Sequence, residues 1–326
     1  MKKKYRELST RYFGRMFLLL IFSLMFLGNQ SSGLTGDLVI FNAGSLSVPL
    51  KEVSAKFMEK NLGVHVLAEA AGSVDSARKI LDLGRPCDVL ALADPRVVDE
   101  FLMPTHVAYN ILFARNEMVL AYTERSKHRG EINKENWYKI LLRPEVTFGR
   151  SDPDRDPCGY RTLMVLQLSE KKYKVKDFSN KLLEPNMKFM RPKETDLLAL
   201  LEAGEVDYAM IYRSLAIQHH LPYVSLSERI NLATPRQDKY YRTAQVKIRG
   251  KEPNSFVSLT GEAIAYSVTI PKNASHPELA EAYLAFLLSK EGQKIIFKNG
   301  HKIISPATTR QWSALPKKIK PLCSQE

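Results

Sequence analysis

Two strand–turn–helix units with matching turns restrict what this 326-residue chain can become. Leu38–Phe41 is an apolar run of strand length, Asn42–Ser47 is a turn of small residues, and Val48–Lys60 has amphipathic helical spacing. The pattern then repeats. Val64–Ala68 reads as a strand, Ala70-Ala71-Gly72-Ser73 as a turn, Val74–Leu83 as a helix and Cys87–Ala93 as a third strand. Strands alternating with helices need crossover connections, which give an α/β fold with a mostly parallel sheet. Ligands of such sheets bind beyond the carboxyl ends of the strands, where helices begin. Both turns read A-G-S. Gly44 and Gly72 let the backbone come close, and Ser45 and Ser73 each offer a hydroxyl and a backbone donor.

A third donor-rich helix start lies in Gly149–Arg161, G-R-S-D-P-D-R-D-P-C-G-Y-R. Asp156 has the chemistry of an N-cap and Pro157 that of the first helical position. Cys158, Gly159 and Tyr160 then fall in the first turn, where N–H groups lack helical partners and the dipole favours an anion. Any one of these starts alone reads as an ordinary capped helix. Three in one chain point to a shared anion site. From Ala108 the α/β pattern restarts, with strands at Tyr109–Phe113, Met118–Tyr122, Val146–Gly149, Met187–Met190 and Tyr208–Tyr212. Helices are expected near Lys134–Leu142, after Asp156, from Arg191-Pro192-Lys193-Glu194 to Gly204, and over Arg213–His220. Ala263–Ile270 reads as a strand returning to the first unit, followed by helical or irregular cover. The expected architecture is two α/β lobes, each a mostly parallel sheet flanked by helices. Residues 37–110 with 267–321 form lobe 1 and residues 111–266 form lobe 2, joined by a hinge of two crossing strands.

Residues 1–35 are read as a signal peptide or N-terminal membrane anchor. Six basic residues precede a thirteen-residue apolar run, Met16–Gly28, which suits a secretory core better than a bilayer span. The body is therefore expected outside the cytoplasm, at the extracellular face of the membrane or in the periplasm. The formal charge of +13 is otherwise spread without a basic block, which suits general attraction of anions. No zinc-finger spacing, RNA-binding signature or basic helix accompanies it, so nucleic acid is not an expected partner. Cys87, Cys158 and Cys323 lie far apart in no metal-binding spacing; an odd count leaves at least one thiol free or paired with another chain, and a Cys87–Cys158 bridge stays open.

The segments F-N-A-G-S-L-S at 41–47, A-G-S at 71–73, G-R-S-D-P-D-R-D-P-C-G-Y-R at 149–161, R-P-K-E at 191–194 and Y-A-M-I-Y-R-S-L-A at 208–216 resemble the molybdate/tungstate-binding proteins of ABC importers, most closely the archaeal-type branch. The resemblance covers the body in order. It implies a type II periplasmic-binding-protein fold that closes on its ligand, acting as a monomer that delivers molybdate or tungstate to a membrane permease and its ATPase, with no separate cofactor. It assigns Gly44, Ser45 and Ser73 as donors to the oxyanion and Asp156, Pro157 and Cys158 as its wall. Tyr212 becomes a hydroxyl donor, and Asp156 and Glu194 become ligands of the metal at the anion's centre. Asp152 and Asp154 compete with Asp156 for that role; abutting the helix start favours Asp156. The link Lys171–Lys188 is shorter than in the family, which places the register of Glu194 in question.

Two carboxylates beside a dianion repel it, and in a plain anion pocket they would be costly. They make sense on a high-valent molybdenum or tungsten centre, a hard acid that takes hard oxygen donors and can expand from four to six ligands. Sulfate cannot expand in this way, so the same carboxylates would discriminate against it. A binding protein for another oxyanion such as sulfate or phosphate is the alternative. Arg78, Arg150 and Arg161 could serve it, but each sits where a surface charge is expected. An enzyme is not expected. Ser45 or Ser73 could be a nucleophile with His219, His220 or His301 as base, yet no G-x-S-x-G elbow or phosphate-binding P-loop is present.

Overall fold

A computed structural model describes residues 34–326. The expected signal or anchor therefore lies outside the described residues, except that Thr35 already begins the first strand. Among the described residues no helix is long and apolar enough to cross a membrane.

Fourteen strands form two large sheets and a hairpin among the described residues. The strands are β1 Thr35–Ala43, β2 Gly63–Ala71, β3 Val89–Leu92, β4 Ile111–Arg115, β5 Met118–Tyr122, β6 Phe148–Ser151 and β7 Met190–Arg191. They continue with β8 Tyr208–Tyr212, β9 Tyr223–Ser225, β10 Gln245–Arg249, β11 Phe256–Thr260, β12 Ala265–Thr269, β13 Lys302–Thr309 and β14 Cys323–Gln325. The first sheet runs β14-β13-β4-β12-β3-β1-β2, the second β7-β6-β8-β5-β9, and β10 pairs with β11 alone. Each large sheet has a parallel core of three strands, β2-β1-β3 and β7-β6-β8. Beside each core lies an antiparallel strand, β12 against β3 and β5 against β8. The two-lobed α/β architecture matches the expectation, but the sheets are mixed and not mostly parallel, since three of the six pairings in the first and two of the four in the second are antiparallel.

The lobe boundaries shift with these pairings. β4 was expected in lobe 2, but it pairs with β12 and β13 in the first sheet. Ala265 and Tyr266 likewise belong to that sheet. An apolar run such as Tyr109–Phe113 announces a strand without naming its sheet, so periodicity could not place it. The chain thus passes between sheets at Asn116-Glu117 and again over Gly261–Ile264. β13 lies in a stretch expected as helical or irregular cover, and Pro306 interrupts it. The ladder to β4 accommodates the proline with a register shift between Ile303 and Thr308. The helix expected near Lys134–Leu142 shortens to Trp137–Ile140, and the strand expected at Met187–Met190 is a 3-10 turn over Glu184–Phe189 leading into β7.

The helix Pro157–Tyr173 buries Tyr160, Met164, Val165, Leu166 and Leu168, and Gly204 ends the helix Leu197–Ala203 at a φ of 74°. Cys87, Cys158 and Cys323 are all buried and free, so no bridge links Cys87 to Cys158.

The two lobes touch closely across the cleft. A Cβ on Gly44 would lie 2.9 Å from Thr195 Cγ2, and one on Gly72 only 2.3 Å from the Arg155 carbonyl oxygen. The Val74 N–H donates to that same oxygen at 3.2 Å, and Arg155 pairs with Asp75 at 2.7 Å. Gly72 itself has φ −58° and ψ 147°, which any residue adopts, so only the opposite lobe requires glycine there. Gly72→Ala should therefore fold with a melting temperature close to wild type yet hold the lobes apart. Small-angle scattering would report a larger radius of gyration; an unchanged radius would mean that the contact yields.

Candidate functional site: a buried carboxylate pair between the lobes

The eight residues expected at the site are all buried. Gly44 and Ser45 form the tight turn after β1, and Ser73 opens the helix Ser73–Leu81 after β2. Asp156 caps the helix Pro157–Tyr173, its side chain accepting from Cys158 N at 3.3 Å. Its second oxygen accepts from the Glu194 N–H at 2.7 Å, and Glu194 Oε2 accepts from Tyr212 N at 3.4 Å. Asp156, Cys158, Glu194 and Tyr212 thus form one corner of lobe 2, built from a helix start, a 3-10 turn over Glu194–Asp196 and the end of β8. The short Lys171–Lys188 link leaves Glu194 in register with Asp156.

Asp152 and Asp154 sit elsewhere. Asp152 caps the Asp154 N–H, and Asp154 accepts from the Arg249 N–H and pairs with its side chain. Both face a surface groove with Arg155 and Phe256. Gly159, in the first turn, makes a close backbone approach. A Cβ there would meet the backbone of Ser151 and Asp152 at 2.6 Å, so the glycine seats the helix on the preceding loop.

Ser45 and Ser73 also have partners outside the carboxylate pair. Ser45 Oγ lies 2.8 Å from the Tyr266 hydroxyl, and Ser73 Oγ accepts from Ala93 N at 3.1 Å. Neither hydroxyl has a histidine partner. His301 is buried with its ring edge-on to Tyr266 at 4.9 Å, and burial lowers its pKa to about 4. That is poor equipment for a general base acting on serine.

Residues beyond those expected complete the corner. Arg161, read above as a surface charge, is 1% exposed. Its Nη1 donates to the Tyr212 hydroxyl at 2.7 Å, and its Nη2 pairs with Asp94 at 2.9 Å. Arg150 is buried as well, at 8% exposure. Asp94 caps the helix Pro95–Phe101. It shows the same Asp-Pro signature as Asp156-Pro157, the signal that could have singled it out. Asn116, on the link between β4 and β5, donates to both Ser214 Oγ and the Tyr266 hydroxyl.

Charge at the site is set by burial. Glu194 is pushed up to about 8, first by desolvation and then by the negative charge of Asp156, against the Ser45 hydroxyl and the Tyr212 N–H. Asp156 rises to about 6 through desolvation, opposed by the N–H groups of Glu194 and Cys158. Two like charges this close resist joint ionisation. Burial also keeps Cys158 a thiol and Tyr212 a phenol. Asp94 is the contrast. Burial would raise it, but Arg96 and Arg161 overcome that and hold it well below the ordinary carboxylate range.

A two-lobed α/β molecule with polar groups converging on a closed interlobe cleft is a solute-binding protein by architecture. The profile of the bacterial extracellular solute-binding protein family matches residues 38–302, and the chain belongs to that family. It is 44% identical over 297 residues to a solute-binding protein of Petrotoga mobilis, covering 91% of each chain. It is 37% identical over 317 residues to a molybdate/tungstate-binding protein of Pyrococcus abyssi, covering 88% of this chain and 90% of that one. Among solved structures, a periplasmic molybdate-binding protein of Azotobacter vinelandii shares the fold at a TM-score of 0.59 and 15% identity, covering 81% of this chain and 98% of that one.

The raised value at Glu194 has a consequence for stability. Folding favours its protonated form, so this contribution is fully present below the unfolded value of 4.5 and is lost as pH rises through about 8. The melting temperature of the ligand-free protein should fall over that window, and Glu194→Gln should flatten the fall. Parallel curves for wild type and variant would show that Glu194 does not carry the effect.

Proposed function

We propose that this protein captures molybdate or tungstate between its lobes and delivers the oxyanion to the permease of an ABC importer. The observation that carries the reading is the Asp156–Glu194 pair, two carboxylates 4% and 2% exposed and joined through the Glu194 N–H. A pocket for a simple anion gains nothing from buried carboxylates, whose charge opposes the ligand. They are suited to ligating the metal centre of an oxyanion able to take two more oxygens, for which carboxylate is a matched hard donor. The name of the Pyrococcus abyssi relative, a molybdate/tungstate-binding protein, supports the same reading.

In this reading Asp156 and Glu194 hold the metal, while Gly44, Ser45, Ser73, Cys158 and Tyr212 offer donors to the oxo groups and Pro157 walls the site. The Ser73 oxygen already accepts from Ala93 N, which leaves its proton to donate. The Cys158 N–H is shared with the Asp156 cap, so its role as donor requires the cap to loosen when the carboxylate turns to the metal. The moving parts are residues 34–115 with 265–326, and residues 118–260. They rotate about Asn116-Glu117 and Gly261–Ile264. A ligand bound from both sides of the cleft shifts that equilibrium toward closure. The protein works outside the cytoplasm as a monomer, on this reading, with its N-terminal segment as signal or anchor.

Isothermal titration with tungstate, molybdate, sulfate and phosphate tests the assignment. Wild type should bind the first two one-to-one and tightly and the last two negligibly. Glu194→Ala should weaken tungstate by at least about a hundredfold, the scale expected when a hydrogen-bonded group in a charged, desolvated site is removed. Equal binding of sulfate would reduce the site to a plain anion pocket. No binding of any of the four would remove the transport reading.

A further inference from the structure

The helix Pro157–Tyr173 sends two side chains out of lobe 2. The Tyr160 hydroxyl donates to Asp94 Oδ2 at 2.6 Å. Arg161 Nη2 reaches the same oxygen at 2.9 Å, and Arg161 Nη1 donates to the Ala93 carbonyl at 2.6 Å. Ala93 and Asp94 belong to lobe 1, directly after β3. The other oxygen of Asp94 is occupied within its own lobe, by Arg96 N at 2.9 Å and Arg96 Nε at 3.2 Å. Oδ2 is shared between the lobes, since Arg96 Nη2 also reaches it at 2.9 Å, so this one oxygen is where the lobe 1 pair Asp94–Arg96 meets Tyr160 and Arg161 of lobe 2. Arg161 also touches the site, because its Nη1 donates to the Tyr212 hydroxyl at 2.7 Å.

We propose that Arg161 is a positioning residue for ligand capture, and that its bond to Asp94 is a latch linking lobe closure to the orientation of Tyr212. This rests on the oxyanion reading of the site above. A guanidinium has five donors and no acceptor, so the Tyr212 oxygen must accept from Arg161 and its single proton must point elsewhere. Asp94 and Ala93 fix the plane of the guanidinium only when the lobes meet. Closure thus sets the direction of the Tyr212 proton. The pair is not there for stability. Buried ion pairs seldom outdo apolar side chains of the same volume, whereas losing one partner strands the other charge. Apart, Asp94 keeps its own lobe's Arg96, while Arg161 loses both of its lobe 1 acceptors. Together, with the Arg161 side chain 2% and the Asp94 side chain 0% exposed, they tolerate only one relative position of the lobes.

Stopped-flow release of tungstate is the test. Asp94→Asn should speed release about tenfold or more and leave association nearly unchanged, the pattern for a broken buried charge pair. Tyr160→Phe removes only one interlobe bond and should speed release about threefold, which covers the case in which Asp94→Asn folds poorly. In a double-mutant cycle, Asp94→Asn should have a smaller effect on release once Tyr212→Phe has removed the hydroxyl. A packing role alone would lower the melting temperature without that coupling. Wild-type release in both Asp94→Asn and Tyr160→Phe, or strict additivity with Tyr212→Phe, overturns the latch. If wild type binds no oxyanion, the site reading fails instead. Scattering of the ligand-free variants then decides the latch separately: expansion of Asp94→Asn supports it, and wild-type dimensions overturn it.

Discussion

Burying two carboxylates side by side is the demand around which lobe 2 is arranged. Among the described residues neither Asp156 nor Glu194 has a cationic partner in direct contact, and each is satisfied mainly by backbone N–H groups. Those donors come from three separate pieces of chain, the Pro157–Tyr173 helix start, the Glu194 turn and the end of β8. They converge because the parallel strands β6 and β8 lie side by side with their carboxyl ends together. The anion-binding capacity of helix starts is thus spent on the protein's own acids. Such an arrangement is unfavourable for a lone fold, and the function proposed above accounts for it by placing an electrophilic centre between the two groups.

The rest of the cleft relates this corner to the hinge. Asn116, on the first crossing, touches Ser214 just past β8 and Tyr266 near the start of β12. Tyr266 in turn meets Ser45 in the first A-G-S turn, and its ring packs edge-on to Tyr212 at 5.9 Å. A rotation of one lobe moves Asn116 relative to both, so hinge geometry and donor geometry change in concert. The physical link is a chain of hydrogen bonds from Asn116 through Tyr266 to Ser45, joined to Tyr212 by ring packing.

Much of this was legible in the sequence because it lies in local signals. The A-G-S turns, the Asp156-Pro157 cap, the Gly204 stop and the alternation of strands and helices are written within windows of ten residues. The eight residues singled out are all buried, and four of them form the lobe 2 corner. What escaped is non-local. β4 and β13 join the first sheet through pairings between distant segments, and no window around Ile111 or Ile303 contains that information. Arg161 looked like a solvated charge because its partner Asp94 is remote in sequence and belongs to the other lobe. Asp94 carried the same Asp-Pro mark as Asp156 but lay in a short helix with no motif around it.

The charge of the whole molecule and the charge of the site have opposite signs, and both are useful. A formal +13 draws anions toward the surface without distinguishing among them. On the function proposed above, the Asp156–Glu194 corner does the distinguishing, because at close range its charge opposes any anion that offers no vacant coordination to the two oxygens. The raised pKa values soften this conflict before capture, since the pair can share a proton rather than hold two full charges. On that reading, an oxyanion whose centre ligates both groups displaces that proton on binding. Attraction at long range and refusal at short range together make a selective site from residues that would look ill-suited to binding an anion.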